Sequence, residues 1–337
     1  MSFVWKRIFG AVPNLVGIVI ITFLLSHALP GDPAAYFAGP AANAESIAQI
    51  KAKLGLDKSL LEQFFKYTGD LARGDLGTSL TTGQPVLTDL LTRLPASLEL
   101  TVCALLIAVV VAIPMGVLAA TRPDTAIDHL CRGSITVGSA FPTFFIGLLL
   151  VYVFYFLLGI APQPVGRLDE MLHSPPAHVT GAYLIDSLLA RDLPTFRASL
   201  AQLALPSISL SLFALAPIAR ITRAAMLSSL GADFTRTARA SGLPAYTVLV
   251  TYAFRNALLP VANVLGMVFS FLLGSNVLIE QVFGWQGVGA YAVSAVLASD
   301  YAAVQGFVLM MALLYIALNL LVDMASTVID PRVRFEG

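Results

Sequence analysis

The sequence has few charges and few cysteines. Only 12% of its 337 residues are charged and 57% are hydrophobic, whereas soluble domains usually carry about 25% charged residues. A soluble fold could not hide this much apolar surface, so the composition predicts that lipid is the solvent. Two cysteines, Cys103 and Cys131, are too few for a disulfide framework or a metal cluster. Basic and acidic residues balance at 20 each, and no region resembles a nucleic-acid-binding arm.

No lysine of this sequence follows a glycine. A P-loop needs the run Gly-Lys-Ser/Thr, because its lysine must reach the phosphates of the nucleotide. The sequence therefore predicts no Walker-type ATPase site of its own. A membrane enzyme would need paired aspartates or His/Glu ligands at membrane depth, whereas the charge-free stretches contain only His27. We expect no catalytic residue, no metal site and no cofactor bound by this chain.

Six stretches without a charged residue are long enough for a helix to cross a bilayer, which takes about 20 residues. The first stretch exceeds the apolar core of a signal peptide, about 7–15 residues, so it predicts a retained helix. The predicted fold class is an all-α polytopic membrane protein with six transmembrane helices. In chain order the stretches are Ile8–Leu29, Leu100–Ala120, the part of Gly133–Gly166 that ends near Gly159, Ser199–Ala219, Asn256–Ile279 and Tyr301–Val322.

Basic residues in the short loops predict the side of the membrane, because Lys and Arg are enriched in cytoplasmic loops. The loop between the fourth and fifth stretches is rich in arginine, whereas Glu280–Asp300 has no basic residue. Both termini are therefore expected in the cytoplasm. The chain then divides into three segments: residues 1–29 with the cytoplasmic N-terminus and the first span, 30–99 as an extracytoplasmic helical segment, and 100–337 as the transmembrane core. Within the core, residues 220–255 form a cytoplasmic loop and residues 323–337 form a short cytoplasmic tail.

The extracytoplasmic segment predicts a small helical cap, because apolar residues follow helical spacing in Ala44–Leu54 and again in Leu60–Leu71. The last outside loop contains Phe-Gly-Trp-Gln-Gly-Val-Gly, beginning at Phe283. Its glycines predict a tight turn or a re-entrant piece. Glu280 and Asp300 bound this loop, and we expect them at the outer edge of the membrane rather than in its middle.

The arginine-rich loop contains a short predicted helix. Asp233 suits the N-cap, where its carboxylate can accept hydrogen bonds from free N–H groups. Gly242 suits the C′ position, and Pro244 bars continuation. The helix should therefore be Phe234–Ser241, with a second helix starting near Ala245. Two turns of helix are not stable alone in water, so it needs either a partner groove or, as the alternative, lipid headgroups that hold its arginines.

Five motifs give this sequence a resemblance to a known family. The run Asp-Phe-Thr-Arg-Thr-Ala-Arg-Ala-Ser-Gly-Leu at 233–243, followed by Arg-Asn-Ala-Leu-Leu-Pro at 255–260, resembles the cytoplasmic EAA-type loop of ABC importer permeases of the peptide/nickel branch. The length and the long outside loop Ala161–Arg197 most resemble the B subunit of dipeptide permeases. The other motifs of this branch occur in the same order along the chain and are Pro30-Gly31-Asp32-Pro33, Gly74-Asp75-Leu76-Gly77-Thr78-Ser79, Phe283-Gly284-Trp285-Gln286-Gly287-Val288-Gly289 and Asp330-Pro331-Arg332-Val333.

The sequence departs from the family pattern at three places. Ser241 stands where the branch usually has lysine, and Gln286 stands where it usually has proline. Arg236-Thr237-Ala238 stands where the wider superfamily has Glu-Ala-Ala. These departures favour the peptide branch over the general superfamily.

The resemblance implies an ABC type I importer permease fold with a coupling helix that docks into a cleft on a separate ATPase subunit. ATP-driven closure of two ATPases, which would hold the ATP and Mg, turns such a bundle from inward-facing to outward-facing. The other implied partners are a homologous second permease, an extracytoplasmic substrate-binding protein and the lipid of the bacterial cytoplasmic (inner) membrane, with no nucleic acid. The implied coupling residues are Asp233, Phe234, Thr235, Arg236, Thr237, Ala238, Arg239, Ala240, Ser241, Gly242 and Leu243.

The sequence specifies the translocation path and the substrate less sharply. Polar residues at lipid depth tend to face the bundle interior, where they either line a path or hydrogen-bond to a neighbouring helix. The implied substrate is a di- or oligopeptide, with nickel, glutathione or an opine as alternatives within the branch. A membrane sensor or scaffold is a different class, which the outside cap would suit. The candidate path residues are Asn263, Ser270, Ser275 and Asn276.

Overall fold

The computed structural model describes residues 2–28, 34, 38 and 42–329. Within this part of the chain the secondary structure is helical, apart from a single β-bridge between Thr78 and Pro85, so the predicted all-α class is confirmed. The first and last family motifs, Pro30-Gly31-Asp32-Pro33 and Asp330-Pro331-Arg332-Val333, lie outside the described residues. The helices are α1 (Ser2–Ala28), α2 (Ala44–Leu54), α3 (Leu60–Ala72), α4 (Val86–Thr121), α5 (Ala126–Ser139), α6 (Thr143–Leu157), α7 (Tyr183–Leu189), α8 (Leu193–Gly231), α9 (Asp233–Ala240), α10 (Ala245–Val282), α11 (Val288–Leu297) and α12 (Tyr301–Ile329).

Among the described residues, four helices are long and apolar enough to cross a membrane by length and composition: α4, α8, α10 and the Tyr301–Val322 part of α12. They contain the second, fourth, fifth and sixth predicted spans. The first predicted span lies in α1, whose apolar stretch is Pro13–Leu24. The third lies in α6, inside the predicted stretch, and begins just after Pro142. Its predicted end is confirmed, since Gly159 adopts a left-handed φ of 63° two residues after α6.

The chain divides into two compact units. The first comprises Met1–Pro95 with Gln286–Ile316, and the second comprises Ala96–Trp285 with Ala317–Gly337. In the first unit α2 has the predicted bounds, and α3 ends one residue later than predicted. The helix α3 begins with a capping box between Ser59 and Glu62, which satisfies two N–H groups that a helix start leaves free.

A buried carboxylate organises the other part of the first unit. The Oδ2 atom of Asp300 accepts hydrogen bonds from Ser79 Oγ and the Leu80 N–H, both at 2.7 Å. Its Oδ1 atom accepts from the Ala303 N–H at 3.1 Å, so Asp300 also caps the start of α12. The carboxylate therefore joins the loop that carries the Gly-Asp-Leu-Gly-Thr-Ser motif to α12.

Small residues let α4 and α8 pack closely in the second unit. Ala104, Ala108 and Ala112 recur every four residues along α4 and are fully buried. A Cβ atom at Gly116 would lie 2.7 Å from Thr222 Cβ and 2.8 Å from the Ala219 carbonyl oxygen. Only glycine fits at this crossing, which is typical of membrane bundles because their helices associate through close packing.

Candidate functional site

The short predicted helix exists as α9, between the fourth and fifth spans. It begins at Asp233, and its N-cap is Ala232, which has extended backbone and makes no side-chain cap. The prediction that Asp233 is the N-cap is therefore wrong, because Asp233 already has helical backbone. Its carboxylate instead lies 3.4 Å from Arg236 at the surface, and it still stands in the first turn, where the helix dipole favours a negative charge.

The end of α9 follows the predicted glycine stop. Gly242 adopts a φ of 75°, a left-handed backbone that glycine accepts without strain. The Gly242 N–H donates to the Arg239 carbonyl at 3.0 Å, and the Leu243 N–H donates to the Ala238 carbonyl at 3.4 Å. These two bonds form a Schellman motif. The next helix begins at Ala245, as predicted.

Two buried residues hold α9 against the rest of the second unit. Thr235 and Ala238 lie one turn apart and are 0% and 4% exposed. The Thr235 hydroxyl donates to the Ser229 carbonyl of α8 at 2.7 Å. Because Thr235 and Ala238 are the buried side chains of α9, the helix is attached by a narrow strip of its surface.

A supporting cluster of apolar residues lies beneath this attachment. It consists of Ala120 from α4, Met226 from α8, and Ala253 and Ala257 from α10, all buried. The first turns of α10 after Thr247 are a π-helix, Val248–Phe254, and π-helical turns often occur at functional sites. The ends of α8 and α10 that flank α9 are therefore packed together with the end of α4.

The remaining side chains of α9 face outwards. Phe234 is 43% exposed, and the guanidinium groups of Arg236 and Arg239 are also exposed. Tyr246, just after α9, is 75% exposed. An exposed aromatic ring beside two arginines gives this surface both apolar area and positive charge. The exposed members of the predicted coupling set are Asp233, Phe234, Arg236, Thr237, Arg239, Ala240, Ser241 and Gly242.

An ion pair braces the helix that leads into α9. The Nε and Nη2 atoms of Arg223 on α8 donate to the two carboxylate oxygens of Asp128 on α5, at 2.8 and 2.6 Å. The Asp128 carboxylate is fully buried and also accepts the Asp124 N–H at 3.1 Å. Hydrogen bonds from Arg223 lower the pKa of Asp128 to about 2, although its burial opposes the shift. Sequence reasoning did not find this pair, since 95 positions separate its members.

The four candidate path residues lie at different depths along α10. Asn263 is exposed, Ser270 and Ser275 are half-buried, and Asn276 is buried. The Ser270 hydroxyl donates to the Gly266 carbonyl of its own helix at 3.2 Å. Asn276 Nδ2 donates to the Ser97 carbonyl and to Thr101 Oγ1 on α4, both at 3.0 Å. Asn276 thus has the contacts of an interhelical hydrogen-bonding residue.

Asn276 belongs to a larger group of buried polar contacts around residues 96–101 of α4, which we name the α4 clasp. The Ser97 hydroxyl donates to Glu280 Oε1 at 2.5 Å, and Trp285 Nε1 donates to the Ala96 carbonyl at 3.0 Å. On another side of α4, Arg167 Nη2 donates to Glu99 Oε2 at 2.9 Å. The only hint of this role in the sequence is that Glu280 directly follows the fifth charge-free stretch.

Residues 112–335 match the family model described as binding-protein-dependent transport system inner membrane component, and residues 1–101 match the model of the N-terminal part of such membrane components. The chain belongs to this family. It is therefore a multi-pass inner-membrane permease subunit of a transport system, and its all-α span architecture is that of the family.

Several relatives align along nearly the whole chain. The probable D,D-dipeptide transport permease DdpB of Escherichia coli (strain K12) is 44% identical over 98% of this chain and 97% of its own length. The dipeptide transport permease DppB of the same strain is 38% identical over 99% of both chains. The di/tripeptide permease DppB of Pseudomonas aeruginosa (strain UCBPP-PA14) is 39% identical over 100% of this chain and 99% of its own.

A solved structure supports the fold independently. An inward-facing MetNI methionine ABC transporter matches with a TM-score of 0.51 and 16% identity, over 69% of this chain and 93% of the other. At that identity the likeness concerns the fold alone. The predicted importer-permease architecture is thereby confirmed.

Proposed function

We propose that this permease subunit forms half of a pathway for di- and oligopeptides and that α9 couples it to a separate ATPase subunit. The observation that carries the coupling proposal is the attachment of α9. Two buried residues hold this helix, and its aromatic and basic side chains face outwards. A two-turn helix gains little stability by itself, so a surface of this kind is best explained by a partner that covers it.

The proposed assembly assigns each side of the membrane a role. Both termini and α9 lie in the cytoplasm, which agrees with the arginine-rich loop between the fourth and fifth spans. Two ATPase subunits bind ATP and Mg there and drive the conformational change. A homologous second permease completes the pathway, and an extracytoplasmic binding protein delivers the substrate.

The exposed side chains of α9 define the chemistry of the partner surface. Phe234 would bury its ring in an apolar pocket, which contributes about 1.5–3 kcal/mol for a fully buried phenylalanine and less here, where the ring is already partly covered. Arg239 would face carboxylates or carbonyl groups at the rim, because guanidinium forms strong charge-assisted hydrogen bonds. The expected cleft is therefore apolar at its base and acidic at its edge.

The proposed substrate class rests on the relatives. Proteins named for dipeptides, D,D-dipeptides and di/tripeptides align with this chain at 38–44% identity along almost their whole length. Nickel, glutathione and opines are the alternatives, and a ligand screen separates them. A thermal-shift experiment on the binding protein of the system should show stabilisation by peptides, because a ligand that binds the native state raises its stability.

The coupling proposal is tested by charge reversal on α9. In the complex reconstituted with its ATPases and binding protein, Arg239→Glu should abolish uptake of a labelled dipeptide, because it places a negative charge against an acidic rim. Gly242→Pro should have the same effect, since proline cannot adopt the left-handed backbone that ends α9. Both variants should insert into the membrane normally.

The control is Arg73→Glu, which reverses the charge of another exposed arginine, at the C-cap position just after α3. The Arg73 side chain is 80% exposed and lies 3.7 Å from Asp70. This variant should transport at the native rate. Native uptake and native substrate-stimulated ATP hydrolysis in Arg239→Glu would contradict the coupling role of α9.

A further inference from the structure

The Asp128–Arg223 ion pair fixes the orientation of α8 relative to α5. A guanidinium that donates through two nitrogens to two carboxylate oxygens sets a distance and an angle, whereas a lysine ammonium would set only a distance. Asp128 is 0% exposed and Arg223 is 23% exposed. Water therefore has little access to the carboxylate, and the geometry is held by the protein.

The same carboxylate also holds the turn before α5. The Asp124 N–H donates to Asp128 Oδ2 at 3.1 Å, although Asp124 has an unusual φ of 58°. The Thr125 hydroxyl closes the turn by donating to the Arg122 carbonyl at 2.6 Å. Asp128 thus fastens both the turn and the start of α5 to Arg223.

An unbroken helix connects this ion pair to α9. Arg223, Met226 and Ser229 follow each other at intervals of three residues in α8, which spans about 9 Å at a rise of about 1.5 Å per residue. Met226 is fully buried in the supporting cluster, and the Ser229 carbonyl accepts the Thr235 hydroxyl of α9. One chain of contacts from α9 to α5 therefore passes through the Thr235 hydroxyl, the end of α8 and the Asp128–Arg223 ion pair.

Stability is a poor explanation for this ion pair. Replacing a buried pair by apolar residues of similar volume is often neutral or stabilising, because desolvation of the two charges offsets their attraction. The pair does supply a rigid connection, which two apolar side chains that slide past each other would not.

We propose that the Asp128–Arg223 pair is a positioning joint that transmits displacement of α9 to α5 during transport. This inference rests on the proposed function of α9. When an ATPase moves α9, the end of α8 moves with it, and the two-nitrogen contact carries α5 and its preceding turn along. In chain order α5 leads directly into α6, the third span, so the joint gives α9 a route into the membrane bundle besides α8 and α10, between which α9 lies.

The joint is tested by replacing it with apolar residues. In the complete complex, Asp128→Leu with Arg223→Met should fold with a thermal midpoint near the native one. Its uptake per ATP hydrolysed should fall about 5- to 150-fold, the usual range of a coupling free energy between sites. Arg223→Lys, which keeps the charge but loses the two-nitrogen contact, should also be uncoupled. Native uptake per ATP in the apolar pair would overturn the joint.

A distance measurement gives a readout that a purely structural role would not move. Spin labels replace Leu130, which is 71% exposed on α5, and Ala240, which is exposed on α9, after Cys103 and Cys131 are changed to serine. In the native chain the distance should stay the same with and without ATP and vanadate. In the apolar pair it should shift or broaden with nucleotide. A nucleotide-dependent change in the native chain would overturn the joint.

The two proposals fail in different ways. If Arg239→Glu leaves ATPase binding and uptake intact, the role of α9 fails and the joint fails with it. If Arg239→Glu separates the ATPases while the apolar pair transports normally, only the joint is overturned.

Discussion

Polar side chains are buried in the α4 clasp and mostly exposed on the helix α9, although both regions belong to the second unit. In the clasp, Ser97, Asn276, Glu280 and Trp285 are at most 1% exposed, and each makes a hydrogen bond to another part of the chain. In α9 only Thr235 and Ala238 are buried. The polar groups of the clasp are therefore hydrogen-bonded within the chain, whereas the arginines and the phenylalanine ring of α9 are exposed and available to a partner protein.

The physical reason lies in the surroundings. A polar group buried inside the protein is out of reach of water, so it must be hydrogen-bonded by other parts of the chain. A helix in a loop between spans is free of that constraint. The contrast indicates that residues of the clasp determine stability, while exposed residues of α9 determine coupling. The following experiments test this division.

The largest effect should come from breaking the buried ion pair of the clasp. Arg167→Met leaves the Glu99 carboxylate buried without its cation, which costs about 3–5 kcal/mol for such a pair. Both side chains are less than 10% exposed. Unfolding in detergent should show the loss, whereas Arg236→Met on α9, where the side chain is 78% exposed, should unfold like the native chain. Equal stability of the two variants would remove the distinction between the regions.

A smaller difference in the free energy of unfolding is expected between variants of two aromatic residues, Trp285 in the clasp and Phe234 on α9. Trp285→Phe removes the indole donor to the Ala96 carbonyl, which keeps its hydrogen bond within α4, so the expected cost is that of one hydrogen bond, about 0.5–1.5 kcal/mol. Phe234→Leu on α9 should leave the free energy of unfolding unchanged, because the ring is already 43% exposed. The order should reverse for binding of the ATPases, which Phe234→Leu weakens. Weaker ATPase binding by Trp285→Phe than by Phe234→Leu would contradict this assignment.

The attachment of α9 should depend on a single hydroxyl. Thr235→Val keeps the shape but loses the 2.7 Å bond to the Ser229 carbonyl, with an expected loss of about 1 kcal/mol. Hydrogen exchange of the α9 amides should accelerate. Thr237→Val is the control, because Thr237 is exposed and its hydroxyl bonds only within α9, to the Asp233 carbonyl. Equal exchange rates in the two variants would mean that other contacts hold the helix.

The smallest effect concerns pH. The pKa of Asp128 is lowered to about 2 from an ordinary value of 3.8, so its stabilisation is complete above 3.8 and is lost as pH falls through 2. Between pH 8 and pH 5 the stability difference between the native chain and Asp128→Asn should therefore be constant. A difference that shrinks between pH 7 and pH 5 would show that the carboxylate is not held in this ion pair.

The capping and helix-ending residues near α9 were enough to predict this helix from the sequence. The contacts between residues far apart in the sequence were not predicted. Gly242 and Pro244 placed its end because backbone conformation is a property of neighbouring residues. The Asp233 cap was wrong by one residue, since an extended Ala232 takes that place. The contacts of Glu280 with Ser97 and of Arg223 with Asp128 join residues 183 and 95 positions apart. Such pairs depend on how the helices pack, which a single sequence does not display.

The central claim is that α9 is the contact surface for an ATPase subunit. A photo-crosslinking residue in place of Phe234, in the intact complex, tests it most directly. The account predicts an adduct with the ATPase subunit, and none from the same residue in place of Phe65, which is 70% exposed on α3. Absence of an ATPase adduct at position 234, or an equal yield at position 65, would contradict it.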